Sequence, residues 1–178
     1  MKKEKRSFEL RMRLASGPTS TILDFNTLIN DYDDRVRIAI SKNSVAPSNI
    51  LCFLANDKNW VVRKSVADHP KTPDFILEKL ARDSNRFVRL AVAMNKNTHA
   101  DVLDQIKYDK YSFVRRKIAC NPNTYLRTLA YLRDDDDYYV AKCAVKHPKY
   151  QNYLQEQREA VYGTKFVQQN EFDALSFF

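Results

Sequence analysis

Glycine is almost missing from this chain: Gly17 and Gly163 are its two glycines, and they bracket the middle of the sequence. Motifs built on glycine are therefore absent, including the G-x-S-x-G nucleophile turn and the Walker A phosphate loop. Histidine is scarce as well. His69, His99 and His147 are widely separated and form no H-E-x-x-H pattern. The cysteines Cys52, Cys120 and Cys143 form no C-x-x-C pair. An odd number of thiols behind an N-terminus with no secretory leader points to reduced cysteines and a cytoplasmic chain. No stretch approaches the roughly 20 apolar residues of a membrane span. The opening segment MKKEKRSFELRMRL is basic and has no apolar centre, so it does not read as a signal peptide. With no catalytic, metal or cofactor constellation in view, the expectation is a non-enzymatic protein with no catalytic residues, no metal and no cofactor.

What is present is positive charge and repetition. The 178 residues carry a formal net charge of +8, which favours acidic partners. A Val-Arg pair occurs at Val36-Arg37, Val62-Arg63, Val88-Arg89 and Val114-Arg115, and a degenerate copy at Val140-Ala141, each 26 residues after the last. Such a fixed period is the signature of a repeat architecture.

Each unit has two apolar-periodic pieces. In the first, Val62 and Val66 share a helical face. Small residues at Ser41, Ala67, Ala93 and Ala119 predict close helix packing, in a short helix with some 3₁₀ character. Asn43, His69, Asn95, Asn121 and His147 then end it, in the role of a left-handed C-cap. Pro70, Pro122 and Pro148 prevent continuation. In the second piece, Thr72, Thr98 and Thr124 stand at the expected N-cap, with Pro47 and Pro73 at the first helical position. Ile76, Leu77 and Leu80 are spaced as in an amphipathic helix of about three turns. An aspartate closes each unit: Asp31, Asp57, Asp83, Asp109 and Asp135. One unit cannot bury its apolar face alone, whereas stacked units can.

The pattern VR-x-x-[VI]-A-x-[NH]-P-x-T-P…L-x-x-L-A-x-D, from about Pro18 to Pro148, resembles the leucine-rich repeat variant family and, more broadly, HEAT-like helical repeats. The resemblance implies an all-α, right-handed α-solenoid of about five 26-residue two-helix repeats with a concave binding surface and terminal caps. Some members carry an N-terminal iron–sulfur module. The N-terminal segment here has no cysteine, so that feature does not carry over. The expected organisation is a basic arm or cap over 1–17, the solenoid over 18–149, and a capping helix with a Phe-rich tail over 150–178.

A fold of this kind supplies a scaffold and no reaction, so function must be read from sites. The column Arg37, Arg63, Arg89 and Arg115 reads first as a structural ladder paired with Asp31, Asp57, Asp83, Asp109 and Asp135, as buried charges require partners. The other reading is a row of guanidiniums aimed at phosphates. Lys64, Arg116, Lys117, Lys142, Lys71 and Lys149 are candidates for binding a partner or a phosphate backbone, and Trp60 and Tyr138 are candidate aromatic contacts. Phe172, Leu175, Phe177 and Phe178 either seal the last repeat or dock into a partner's groove. In RDDDDYYV, Asp134 to Asp137 lack the spacing and glycine of a calcium loop and read as a solvated turn with a helix cap. The expected function is binding of a macromolecule, foremost a protein, with nucleic-acid binding through a basic stripe as the alternative. A more remote reading comes from alkylpurine DNA glycosylases, some of which use HEAT-like repeats. No carboxylate outside the structural aspartate column supports it.

Overall fold

The computed structural model describes residues 7–160. Among these residues there are helices and no strands: α1 (Phe8–Ser16), α2 (Ile22–Leu28), α3 (Asp34–Lys42), α4 (Ser48–Leu54), α5 (Trp60–Asp68), α6 (Asp74–Leu80), α7 (Arg86–Met94), α8 (Ala100–Gln105), α9 (Ser112–Ala119), α10 (Leu126–Leu132) and α11 (Tyr138–Lys146). A further helix, α12, covers 148–160. The odd-numbered helices α1 to α11 pack on one another in an unbroken row, and α2, α4, α6 and α10 each lean on the two helices next to them in that row. The chain is an all-α solenoid.

The apolar columns of the repeat build one continuous core. Val36, Val62, Val88, Val114 and Val140 are fully buried, as are Ile40, Val66, Val92, Ile118 and Ala144 four residues on. From the even-numbered helices, Leu51, Leu77, Leu103 and Leu129 complete it. Each such leucine contributes about 2 kcal/mol of burial. The row helices are short α-helices of eight or nine residues, and several close with a 3₁₀-type bond, as from the His69 N–H to the Val66 carbonyl and from the His147 N–H to the Ala144 carbonyl. The even-numbered helices α2 to α10 are six or seven residues, about two turns where three were expected.

Three polar columns tie the units together. The first is the arginine ladder. Arg37 donates through Nε and Nη2 to the Asp57 carboxylate at 2.6 and 3.1 Å, and through Nη1 to the Asp31 carbonyl at 2.6 Å. Arg63, Arg89 and Arg115 repeat this with the carboxylates of Asp83, Asp109 and Asp135 and the carbonyls of Asp57, Asp83 and Asp109. Each of these carboxylates also accepts the N–H two residues on, so it meets three donors. Burial pushes the Asp83 carboxyl up. Arg63 and the Asn85 N–H outweigh that and hold it below the usual carboxylate range.

The second column is Asn43, His69, Asn95, Asn121 and His147. Asn95 Nδ2 donates to the carbonyls of Ala67 and His69, while its Oδ1 accepts from Asn97 N–H. Asn43, two units earlier, and Asn121, one unit later, do the same. In His69 and His147, Nδ1 accepts the N–H two residues on, which leaves Nε2 protonated and donating to the carbonyls of Asn43 and Asn121. These residues are not left-handed caps. Asn43, His69, Asn95 and His147 are extended, with φ of −72°, −74°, −69° and −64°. Their side chains satisfy the preceding unit's last carbonyls, so no left-handed turn is required. Gly17 occupies the same column at the end of α1, where a β-carbon would lie 2.9 Å from the Arg13 carbonyl oxygen.

The third column is threonine. Thr72, Thr98 and Thr124 are buried one position before the N-cap and donate backward to the carbonyls of Val66, Val92 and Ile118. The N-cap position belongs to Pro47, Pro73, His99 and Tyr125. A buried hydroxyl gains more by satisfying a buried carbonyl than by capping at the surface. Side-chain caps occur on both sets of helices: Asp33, Asn59, Asn85 and Asp137 accept from the second helical N–H of row helices, Thr21 forms a capping box with Asp24 on α2, and His99 Nδ1 accepts from the Asp101 N–H on α8.

Removing one member of a ladder pair strands a buried charge. Asp109→Ala should lower the unfolding free energy in urea by about 3 kcal/mol. Adding Arg89→Met to that variant should recover most of the loss, because no unpaired charge remains.

Candidate binding face

The two ladders hold each row helix at both ends and leave one stripe of it facing solvent. On α3 that stripe is Arg35, Ile38 and Lys42. On α5 it is Val61, Lys64 and Asp68, and on α7 it is Phe87, Leu90 and Met94. On α9 it is Phe113, Arg116, Lys117 and Cys120, the last just past the helix end, and on α11 it is Tyr139, Lys142, Cys143 and Lys146. Side by side these stripes form a face with an apolar centre over α5, α7 and α9. Trp60 packs on Phe87 with ring centroids 5.4 Å apart, and Phe87 on Phe113 at 6.3 Å. The Arg86 guanidinium lies over the Phe87 and Tyr111 rings at 4.9 and 5.0 Å.

Cations flank this centre. Arg116, Lys117, Lys142 and Lys146 lie on α9 and α11, and Arg13 and Lys42 on α1 and α3. Among the described residues, none of these cations has an ion-pair partner; Lys142 lies over the Tyr138 ring at 5.3 Å. The face carries few acids, and Asp68, one of them, is already paired with Lys64 at 2.5 Å. The even-numbered helices and their turns show a different balance. There Glu78 meets Arg82, Asp104 meets Lys107 and Arg127, and Asp134 meets Arg133. The face thus carries cations without a carboxylate partner beside its apolar centre, while Lys71, Lys79 and Lys149 on the other elements donate to neutral oxygens.

The residues singled out in the sequence separate into distinct groups. Arg37, Arg63, Arg89 and Arg115 point into the seams between units and bind aspartates, so they offer no guanidinium edge to a phosphate. Lys71 and Lys149 are exposed, but their ammonium groups donate to the carbonyls of Ser44 and Thr124, as Asn97 and Asn123 do to Pro70 and Lys96. Lys64 is neutralised by Asp68. Arg116, Lys117 and Lys142 come together, and Trp60 belongs to the aromatic centre. Tyr138 is exposed beside Tyr139 at the α11 end. Phe172, Leu175, Phe177 and Phe178 lie outside the described residues.

Two features escaped the sequence reading. The apolar centre comes from columns that elsewhere hold charge, with Leu90 between Lys64 and Arg116 and Met94 between Asp68 and Cys120. It becomes visible only when columns are laid side by side. Arg11 is the other. It stands 26 residues before Arg37, and Ala15 stands 26 before Ser41, so α1 is a row helix of the repeat. Arg11 Nε lies 3.2 Å from the Asp31 carboxylate outside hydrogen-bond geometry, and its Nη2 donates to the Tyr32 hydroxyl at 2.8 Å.

No family model matches the chain, and no curated protein matches it. Among solved structures it is similar to one described as a leucine-rich repeat variant with a novel repetitive protein structural motif. The two share 24% identity over 78% of this chain and 71% of that chain, with a TM-score of 0.41. That is the class of protein the repeat signature resembles. Among the described residues no helix is long and apolar enough to cross a membrane.

His147 lies beside the basic end of the face, and burial lowers its pKa below 6.5 despite the carbonyl of Asn121. A group held below its unfolded pKa binds fewer protons in the native state, so its contribution is complete above about pH 6.5 and falls as the pH drops. His147→Asn should fold, since asparagine fills this column in other units. Its thermal midpoint should decline less between pH 7 and pH 5 than that of the parent, measured with His69 intact in both.

Proposed function

We propose that this protein is a non-enzymatic, cytoplasmic binding scaffold that holds a polypeptide partner on the exposed face of its row helices. The observation that carries this reading is the apolar centre flanked by unpaired cations. Protein interfaces have this anatomy, an aromatic and apolar middle within a polar rim. Trp60, Phe87, Phe113, Leu90 and Met94 would anchor apolar side chains of the partner. Arg116, Lys117, Lys142 and Lys146 would select acidic residues next to them and speed encounter.

The alternative is a nucleic-acid backbone, and the net charge favours it. Two features weigh toward a polypeptide. The charge is not continuous along the solenoid, because α5 is self-neutralised and the solvent-facing stripe of α7 is apolar. The Trp60, Phe87 and Phe113 rings are also packed on one another and Arg86 covers Phe87, which leaves the central ring faces poorly available to stack with bases.

The test is affinity capture from nuclease-treated lysate, identification of the retained protein, and measurement of its affinity for point variants. Met94→Glu should abolish binding. The double change Arg116→Glu, Lys142→Glu should weaken it about tenfold and reduce its salt dependence, and Phe75→Ser on the exposed side of α6 should leave it unchanged. Steeply salt-dependent binding of DNA or RNA, lost in the double variant and kept in Met94→Glu, would replace the polypeptide reading with the nucleic-acid one.

A further inference from the structure

Cys120 and Cys143 fall in different columns of the repeat, and nothing in the sequence pairs them. The stacking of row helices does. Cys120 caps the C-terminus of α9, Cys143 lies within α11, and those two helices pack directly on each other. Both cysteines line one open cleft with Lys142, Lys146 and His147. Both are free thiols, Cys120 exposed and Cys143 half-buried.

We propose that Cys120 and Cys143 form a dithiol site that is converted to a disulfide by a small, carboxylate-bearing disulfide, locking α9 to α11. The chemistry is two exchanges. One cysteine thiolate attacks a sulfur of the small disulfide; a mixed disulfide forms, the original S–S bond breaks, and a small thiolate leaves and takes up a proton. The second cysteine then attacks the protein sulfur of the mixed disulfide and expels the second small thiol with its proton. Two electrons pass from the cysteine pair to the reagent, and the two protons leave on the two released thiols. The cations give the site its selectivity. Lys142 and Lys146 line the cleft, and Arg116 and Lys117 bear on the Cys120 sulfur. They favour a thiolate and draw an anionic reagent. Burial and the neighbouring Cys143 thiol act the other way and push the Cys120 thiol up to about 11. Cys120 is therefore the slower group, suited to the intramolecular second step, where the partner sulfur is already in place.

The proposal needs no binding partner and is independent of the function proposed above. The folded, full-length protein is treated with glutathione disulfide, then alkylated and mapped by mass spectrometry. The expected product is lighter by two hydrogen atoms, carries a Cys120–Cys143 bond, and remains alkylatable at Cys52 on α4. At low ionic strength the reaction should run about tenfold faster with glutathione disulfide than with the cationic reagent cystamine. Cys120→Ser and Cys143→Ser should both stop at the mixed disulfide. Both should fold, since those columns already hold Asp68 and Met94, and Ser65 and Ala91. Arrest of the parent protein at a mixed disulfide, cross-linking of two chains, or a faster reaction with cystamine would each overturn the proposal.

Discussion

One guanidinium, bound on two sides, sets the geometry of this molecule. Each ladder arginine reaches back to the carbonyl of the aspartate that closed the preceding unit and forward to the carboxylate that closes its own. Its length fixes the distance between successive inter-helix turns, and the same spacing recurs without insertion from Arg37 to Asp135. A buried ion pair is a weak source of net stability, because the desolvation of both charges offsets most of their attraction. It is a strong source of register, because any slip leaves a charge unmet. The valines and leucines between the rungs supply the stabilising burial. The arginines decide which unit each of them packs against.

The asparagine–histidine column does the corresponding work at the other end of each row helix. It also explains how two unlike residues share one position. Asparagine presents an amide donor and a carbonyl acceptor. Neutral histidine, protonated at Nε2, presents a donor and an acceptor in nearly the same directions. The column needs that pair of functions and no charge. Protonation of His147 would replace the acceptor with a second donor facing the Lys149 N–H. With both ends of the helix held by conserved geometry within the chain, the residues between them are free to differ from unit to unit, and the binding face consists of those residues.

This division also explains what could be read in advance. Architecture lives in the columns that repeat, so the period, the two helices per unit and the valine and leucine core were legible from the sequence. Two local assignments went astray where one residue type can serve two ends. Threonine before a proline can cap the helix ahead or satisfy a carbonyl behind, and the buried carbonyl of Val66 decides in favour of the latter. Asparagine after a helix can adopt a left-handed turn or bridge to the preceding unit, and only the stacked neighbour distinguishes them. The face was legible in part. Arg116 and Lys142 share a column and stood out as a stripe. Leu90, between Lys64 and Arg116 in the same column, broke that stripe, and its place in an apolar centre depends on Phe87 and Phe113 lying beside it.

The ends of the ladder follow from the same electrostatics. At the N-terminal side Arg11 meets Asp31, and the position one period before Asp31 holds Lys5, so no carboxylate is left over. At the other side Ala141 stands where the next arginine would be, and the position 26 residues after Asp135 holds Val161. The series therefore stops by dropping both members of a pair together. Dropping only one would have buried a charge against the core. Where the threonine column reaches 150, tyrosine takes its place, and its hydroxyl accepts from Arg133 Nη1 at 2.9 Å while its ring is buried. An aromatic ring covers more apolar surface than threonine can, and with Tyr150 buried and Leu154 partly buried against the core, α12 joins the solenoid by apolar burial and not by a ladder rung.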